Sequence, residues 1–350
     1  SSAASDVYKR QPWDSPPAFK NAEPCTGGAD DYYPADVDDN ALRFFGPERY
    51  HSDEFQDEAY LFIPFDEDYY QAMAEVIEER FANWQGQDFD EDTLEPSEVA
   101  QAIMEYLDCE CTYFPSMADD DPIMSAYSYA QRLGVREGFV PVLIQADDET
   151  LLECLVMNAD PKNDVDIYEF DLKAVTEYRK KMLSTPVKDG KTVLEELTGQ
   201  RKEEAEDDDM DWDEEVLGEM EGGEPNDRFS SYWDDDTEMT YPLILAKIPV
   251  KNPWEIFAYL PFGNWNDCPD TPELMAAAKY WFQQHGAIPA AMSHDELEFE
   301  LPTPISKERA MEVAVEQYGF CPDLDQNEDG SIGSLADVLW QSTVWYFWWD

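Results

Sequence analysis

The chain reads as an α+β protein of two domains, the second a mostly antiparallel sheet packed with helices. Three observations predict this. Amphipathic helical stripes alternate with short β-rich runs before residue 200, an acidic block interrupts the chain over residues 203–224, and beyond residue 241 strands, a hairpin pattern and capped helices lead to the aromatic run Trp345-Tyr346-Phe347-Trp348-Trp349-Asp350. With 43% apolar and 14% aromatic residues in 350, there is material for two cores.

Taken in order, residues 1–11 resemble a translated sequencing adaptor read through into a metagenomic reading frame and are set aside. Residues 12–199 form the expected N-terminal α+β domain. Its first part, 12–59, is rich in Pro, Asp and paired aromatics and has no sustained period. A short strand is expected over 59–65, followed by a helix that carries Tyr69, Met73, Val76, Arg80 and Phe81 on one face after the acidic cap 66–68. A second helix starts at Pro96-Ser97 with Val99, Ile103 and Leu107 inward. Helices follow over 124–133, ended by Gly134, and over 147–158 and 171–183, with a buried strand over 139–145 between the first two. All these stripes read as core.

Residues 200–240 are expected to be an acidic linker or insertion, because like charges in a block repel one another and resist packing. Trp212, Val216, Leu217 and Met220 interrupt the acid at helical spacing and allow a short docking helix. From 241 to 350 the expected C-terminal domain begins with strands over 241–250 and 254–260. Thr271 then caps a helix with Pro272 in its first turn, and Gly286 stops it. A hairpin over 287–292 and 296–301 sets Leu297, Phe299 and Leu301 against Glu298 and Glu300, the pattern of a sheet with one wet face. Ser306 and Ser334 cap two further helices. The aromatic hexapeptide ends the domain as a strand covered on both sides, with Trp345, Phe347 and Trp349 on one face, Tyr346 and Trp348 on the other, and the Asp350 carboxylate at its edge.

Charge limits the function classes. Eighty acidic against 23 basic side chains give a formal charge of -57; without residues 1–11, which carry Asp6, Lys9 and Arg10 and so +1, the remainder carries -58. Such a surface repels phosphates and anionic headgroups, so nucleic acid and membrane surfaces are disfavoured and a basic protein partner or a cation is favoured. Plain solubility or a saline habitat is the alternative explanation of the same charge. Cys25, Cys109, Cys111, Cys154, Cys268 and Cys321 have no disulfide-scaffold spacing and read as reduced thiols of a cytoplasmic protein.

Three pieces carry a family resemblance. These are Phe262-Gly263-Asn264-Trp265-Asn266-Asp267-Cys268-Pro269, Glu316-Gln317-Tyr318-Gly319-Phe320-Cys321-Pro322-Asp323, and the closing aromatic run. Together they resemble the bacterial family called domain of unknown function 4253, over about residues 241–350. The resemblance implies a bacterial protein and no known reaction. Residues 138–143 and 150–153 also look like segments that accompany this domain.

Two candidate sites emerge. The first gathers Asn266, Asp267, Cys268 and Cys321 as candidate catalytic residues, with Trp265, Asp323 and Asp350 as binding residues. The following helix N-terminus would activate the Cys268 thiol, and only His285 and His294 in this part could serve as its base. The alternative is structural: Asp and Asn capping turns, Trp265 packing, prolines shaping loops. The second candidate is a calcium loop, with oxygen ligands at Asp325, Asn327 and Asp329, Gly330 at the sixth position and Ser331 after it. Its twelfth position is Ala336, where the bidentate acid should stand, so any calcium would bind weakly.

Cys109-Glu110-Cys111 lacks the second cysteine pair of a zinc site, and His51 is isolated. No phosphate loop, G-x-S-x-G or H-E-x-x-H is present. These readings favour a non-catalytic acidic interaction protein of the immunity type that binds a basic partner. The alternatives are an enzyme using the Cys268 loop and a weak calcium-binding domain.

Overall fold

The computed structural model describes residues 50–51, 60–61, 95–163, 166–234, 237–326 and 331–350. The adaptor-like segment, the helix expected after 66–68, and Asn327 and Asp329 of the calcium loop lie outside the described residues. Of the strand expected over 59–65, the described part is Tyr60–Leu61 (β2), paired antiparallel with Tyr50–His51 (β1).

Helix α1, Glu98–Leu107, starts where the Ser97 hydroxyl accepts the Ala100 N–H. It ends at Asp108 in the left-handed region (φ 48°) and turns directly into β3, Glu110–Phe114. Helix α2, Asp121–Glu137, runs past the stop expected at Gly134 to Gly138, whose φ is 85°. Gly134 sits inside the helix because Phe139 folds back over it: a Cβ there would lie 2.4 Å from the Phe139 carbonyl oxygen. Strand β4, Val140–Gln145, is buried on both faces. Helices α3 (Glu149–Ala159), α4 (Leu172–Ser184) and α5 (Gly190–Asp207) are each capped by the aspartate before them, Asp148, Asp171 and Asp189.

A π-helical turn, Trp212–Leu217, and the two-residue strands β5 (Trp233–Asp234) and β6 (Met239–Thr240) lead into β7, Leu243–Ile248. The strand expected over 254–260 is a 3-10 helix, Pro253–Ala258. Asn252 and Glu255 form a capping box there and Pro253 supplies a helical φ, so local chemistry overrides the β-rich composition. Then come α6 (Thr271–His285), the hairpin β8 (Ile288–Met292) and β9 (Glu296–Glu300), α7 (Lys307–Phe320), a 3-10 turn Pro322–Gln326, α8 (Ile332–Leu339) and β10 (Val344–Trp348). The cap of α8 is Ser331, which accepts the Ser334 N–H, one turn earlier than expected.

Six strands form one sheet in the order β10-β9-β8-β4-β7-β3, antiparallel except for β4 beside β8. The architecture is α+β, with a mostly antiparallel sheet packed with helices. The strands on either side of the expected boundary share that sheet: β7, from the C-terminal part, lies between β3 and β4. The physical reason is that β4 is buried on both faces and its main-chain groups need a partner along each edge, and β7 and β8 supply them. Residues 200–240 are likewise integrated. They contain the end of α5, bury Val216, Phe229 and Tyr232, and cover one face of the sheet.

The larger core lies under α1, α3, α4, α6 and α7 and centres on Trp281. Phe299, Phe320, Trp345 and Phe347 surround its ring at centroid distances of 5.7, 5.0, 5.7 and 5.5 Å. Trp345, Phe347 and Trp349 all point to this face and are buried, as alternation requires. The indole N–H groups of Trp345 and Trp349 have no hydrogen-bond partner among the described residues. Each omission costs about 1–3 kcal/mol, against about 4–6 kcal/mol for burying ~150–250 Å² of ring at ~25 cal/mol/Å². Packing wins. Tyr346 and Trp348, on the other face, are half-buried, and β10 is an edge strand. The expectation of full cover on both sides is thus met on one side only.

The second face is the larger correction. Glu298, read as solvent-facing, is 0% exposed, because α2 and residues 226–232 cross over the expected wet face. Among the described residues no helix is long and apolar enough to cross a membrane.

Phe347→Ala should lower the unfolding free energy by about 3–5 kcal/mol, and Tyr346→Phe, which removes one hydrogen bond to a carboxylate, by about 1–3 kcal/mol. Urea titration followed by far-UV circular dichroism checks both. If Phe347→Ala costs no more than Tyr346→Phe, the Trp281 face is not the dominant one.

Candidate functional site

The residues singled out around Cys268 do come together, at the end of β10. Gly263 lets the loop close on itself, since a Cβ would sit 2.1 Å from the Pro269 carbonyl oxygen. Asn264 (φ 72°) and Asn266 (φ 41°) take the left-handed turns that asparagine tolerates. Trp265 donates its indole N–H to the Phe262 carbonyl at 2.9 Å, and Asp267 accepts from Arg201 at 2.9 Å. The Asn266 amide donates to the Asp350 main-chain oxygen at 2.6 Å, Asp323 accepts the Asp350 N–H at 3.1 Å, and the Cys321 thiol donates to the Trp348 carbonyl at 2.9 Å. Trp349 packs edge-on against Phe262 and Phe320. The pieces that carry the resemblance thus clasp one another.

Cys268 and Cys321 are buried, and burial raises both thiols well above the ordinary cysteine range, so neither forms thiolate readily. The helix-terminus effect expected at Cys268 loses to desolvation. His285 is half-buried against Trp345 and lowered to about 4 by desolvation. His294 is raised, first by its hydrogen bond to Asp148 at 2.9 Å. Neither imidazole bonds to either thiol. In the calcium loop, the Ser331 hydroxyl already serves as the α8 cap, and the side chain of Asp325 lies outside the described residues.

A different site lies on the other face of the sheet. Residues 226–232 form a strap across β9 and β10. Thr343 and Val344 donate to the Asn226 carbonyl, Thr343 bonds to Asp227, and the buried Glu298 carboxylate accepts four hydrogen bonds, from the N–H and hydroxyl of Ser230 and of Ser231. Between the strap and the start of α2 lies a cleft of about 230 Å³, with Asp120, Asp121, Asp227, Arg228, Tyr232 and Glu300 among its walls and Met124, Phe229 and Val344 as its apolar lining.

Asp120 accepts from the Tyr232 hydroxyl at 2.9 Å and from the Arg228 guanidinium at 3.2 Å. Arg228 is 81% exposed while Asp120 is 11% exposed, so a surface cation reaches in to a sunken anion. Burial and the neighbouring Asp120 raise Tyr232, which therefore stays protonated and donates. Glu300 is raised by desolvation, partly offset by hydrogen bonds from Gln131 and Tyr127. The carboxylate oxygens of Asp119, Asp120 and Asp121 lie within 4.8 Å of one another. Hard cations take such oxygens, but here Asp120 is already engaged by Arg228 and Tyr232. The site suits a positively charged side chain with an apolar stem.

Sequence reasoning missed this cleft because acidic pairs occur throughout the chain. The acidic triplet before Pro122 was its one local signal; Glu300 and the strap join it only through the fold.

Residues 244–350 match the family model described as a domain of unknown function (DUF4253). All three clasping pieces fall inside the match. Of the cleft, Glu300, Thr343 and Val344 fall inside it, while Asp120, Asp121, Asp227, Arg228 and Tyr232 do not. No curated protein and no solved structure matches the chain.

The carboxyls of this face set a pH dependence. Glu296 is raised to about 7 by burial, and Glu298 and Glu300 are raised for the same reason. Each binds its proton more tightly folded than unfolded, so its stabilising contribution is complete below the unfolded carboxylate range, about 4.3, and is lost as pH rises through the raised value. The melting temperature should therefore fall between pH 5 and 8, and Glu296→Gln should flatten that slope. A wild-type melting temperature that climbs over this range would contradict the assignment.

Proposed function

We propose that this chain is a non-catalytic interaction protein of the immunity type, which holds an arginine- or lysine-bearing segment of a basic protein partner in the acidic cleft. The observation that carries the reading is the Arg228–Asp120 contact, in which an exposed guanidinium of the chain itself caps a sunken carboxylate. A partner's cation would take that position with the same chemistry. Its charge would meet Asp120, Asp121, Asp227 and Glu300, and its alkyl stem would lie on Met124, Phe229 and Val344. The net charge of -57 would steer the basic partner inward from a distance. Cation binding favours ionised Glu300, so association should strengthen as pH rises through the raised Glu300 value.

The test is a fluorescence-anisotropy titration with a labelled oligoarginine peptide at several salt concentrations. Asp120→Asn with Glu300→Gln should weaken binding about ten-fold, or 1.4 kcal/mol, and Arg228→Ala should tighten it by removing the internal competitor. Glu203→Gln, an exposed charge on α5, should change little. If all these substitutions act only in proportion to charge removed, the acidity is a bulk solubility property and the cleft has no partner.

A further inference from the structure

A second chemical feature, Cys109-Glu110-Cys111, spans the end of the turn after α1 and the start of β3. The two thiols flank an exposed glutamate and lie on one side of the chain, with their sulfurs 3.9 Å apart and sharing a hydrogen bond. Both are half-buried, unlike the sealed Cys268 and Cys321, and among the described residues β3 is the outer strand of the sheet.

Beneath this turn lies Arg179 of α4. Its guanidinium is buried, donates to the carbonyls of Tyr106 and Leu107 (3.1 Å to the latter), and stacks over the rings of Tyr106 and Tyr259 at 5.1 and 4.3 Å. Its Nε has no hydrogen-bond partner, and among the described residues no carboxylate pairs with it. A buried cation without a counter-anion is costly, and an anionic sulfur beside it would supply the missing charge. Cys109 is lowered, first by its hydrogen bond with Cys111 and then by Arg179, against desolvation and the charges of Asp108 and Glu110. Lys247 pairs with Glu110 and offsets part of that opposition. Cys111 is raised by the same hydrogen bond and by burial. Arg179, held on the carbonyls just before Cys109, acts on that sulfur and not on Cys111, which makes Cys109 the sulfur from which attack starts.

We propose that Cys109 and Cys111 are a redox-active dithiol that reduces small disulfides, Cys109 attacking and Cys111 resolving. With glutathione disulfide, the Cys109 sulfur bonds to one glutathione sulfur, the S–S bond breaks and one glutathione leaves as thiolate. Cys111 then gives up its proton to solvent and attacks the Cys109 sulfur, and the second glutathione leaves with the electron pair. Two protein thiols are oxidised and one disulfide becomes two thiols. Closure needs the sulfurs to approach by about 2 Å, within reach of side-chain rotation in two half-buried thiols.

The experiment incubates the full chain with glutathione disulfide, blocks residual thiols by alkylation and maps the products by mass spectrometry. The wild-type peptide carrying both residues should lose two hydrogens and resist alkylation. Cys111→Ser should stop at a single glutathione adduct on Cys109, and Cys109→Ser should react about ten-fold more slowly at neutral pH. Finding both thiols free in the wild type, a stable adduct on Cys111, or a disulfide from either residue to another cysteine would overturn the proposal. The wild-type arm needs no substitution, so a variant that folds poorly leaves the test intact.

Discussion

The packing of the last strand against Trp281 is the constraint on which the rest of the structure depends. Phe347 stacks on that indole with an interplanar angle of 17°, while Trp345, Phe320 and Phe299 meet it edge-on at 74–88°. These rings come from α6, α7, β9 and β10, so one aromatic contact ties four elements together. It also explains the clasp at the end of β10. A strand at the edge of a sheet exposes unpaired main-chain groups, and here Cys321, Asn266 and Asp323 occupy those of Trp348 and Asp350.

The opposite face of the same hairpin works by different physics. Glu296, Glu298 and Glu300 project from β9 away from the aromatic core, and burial would be prohibitive if they stood alone. Each is instead supplied with donors: Tyr346 for Glu296, the Ser230-Ser231 pair for Glu298, and Gln131 with Tyr127 for Glu300. The strap that satisfies Glu298 is also one wall of the acidic cleft. Stability of the hairpin and shape of the cleft are thus two effects of one polar layer, which is why the carboxyls that govern pH dependence stand next to the proposed binding surface.

Basic residues are scarce, and their placement is informative. Arg201 joins α5 to the Cys268 loop through Asp267, Arg228 caps Asp120, and Arg179 underlies the Cys109-Cys111 turn. In a chain of such negative charge each cation has many potential carboxylate partners, so the buried Arg179 guanidinium, with none among the described residues, stands apart from Arg201 and Arg228.

What the sequence determined by itself was local. Ser97, Asp148, Asp171 and Gly286 stand where helices begin and end because capping is chemistry within one turn of chain. Likewise, the alternation of Trp345, Phe347 and Trp349 placed their rings on one face. Tertiary structure decided everything that needs distant partners. β7 inserts between β3 and β4 across a hundred residues, and Gly134 is a point of close approach rather than a stop. Glu298 reads as wet until residues 230–231 arrive to satisfy it. Sequence marks the residues around Cys268 as a group, while the contacts of Asn266, Asp323 and Cys321 with the end of β10 come from the fold. The cleft was illegible because Asp120 and Asp121, the strap with Arg228, and Glu300 lie on three separate segments, and no local pattern encodes which carboxylates the sheet will bring together.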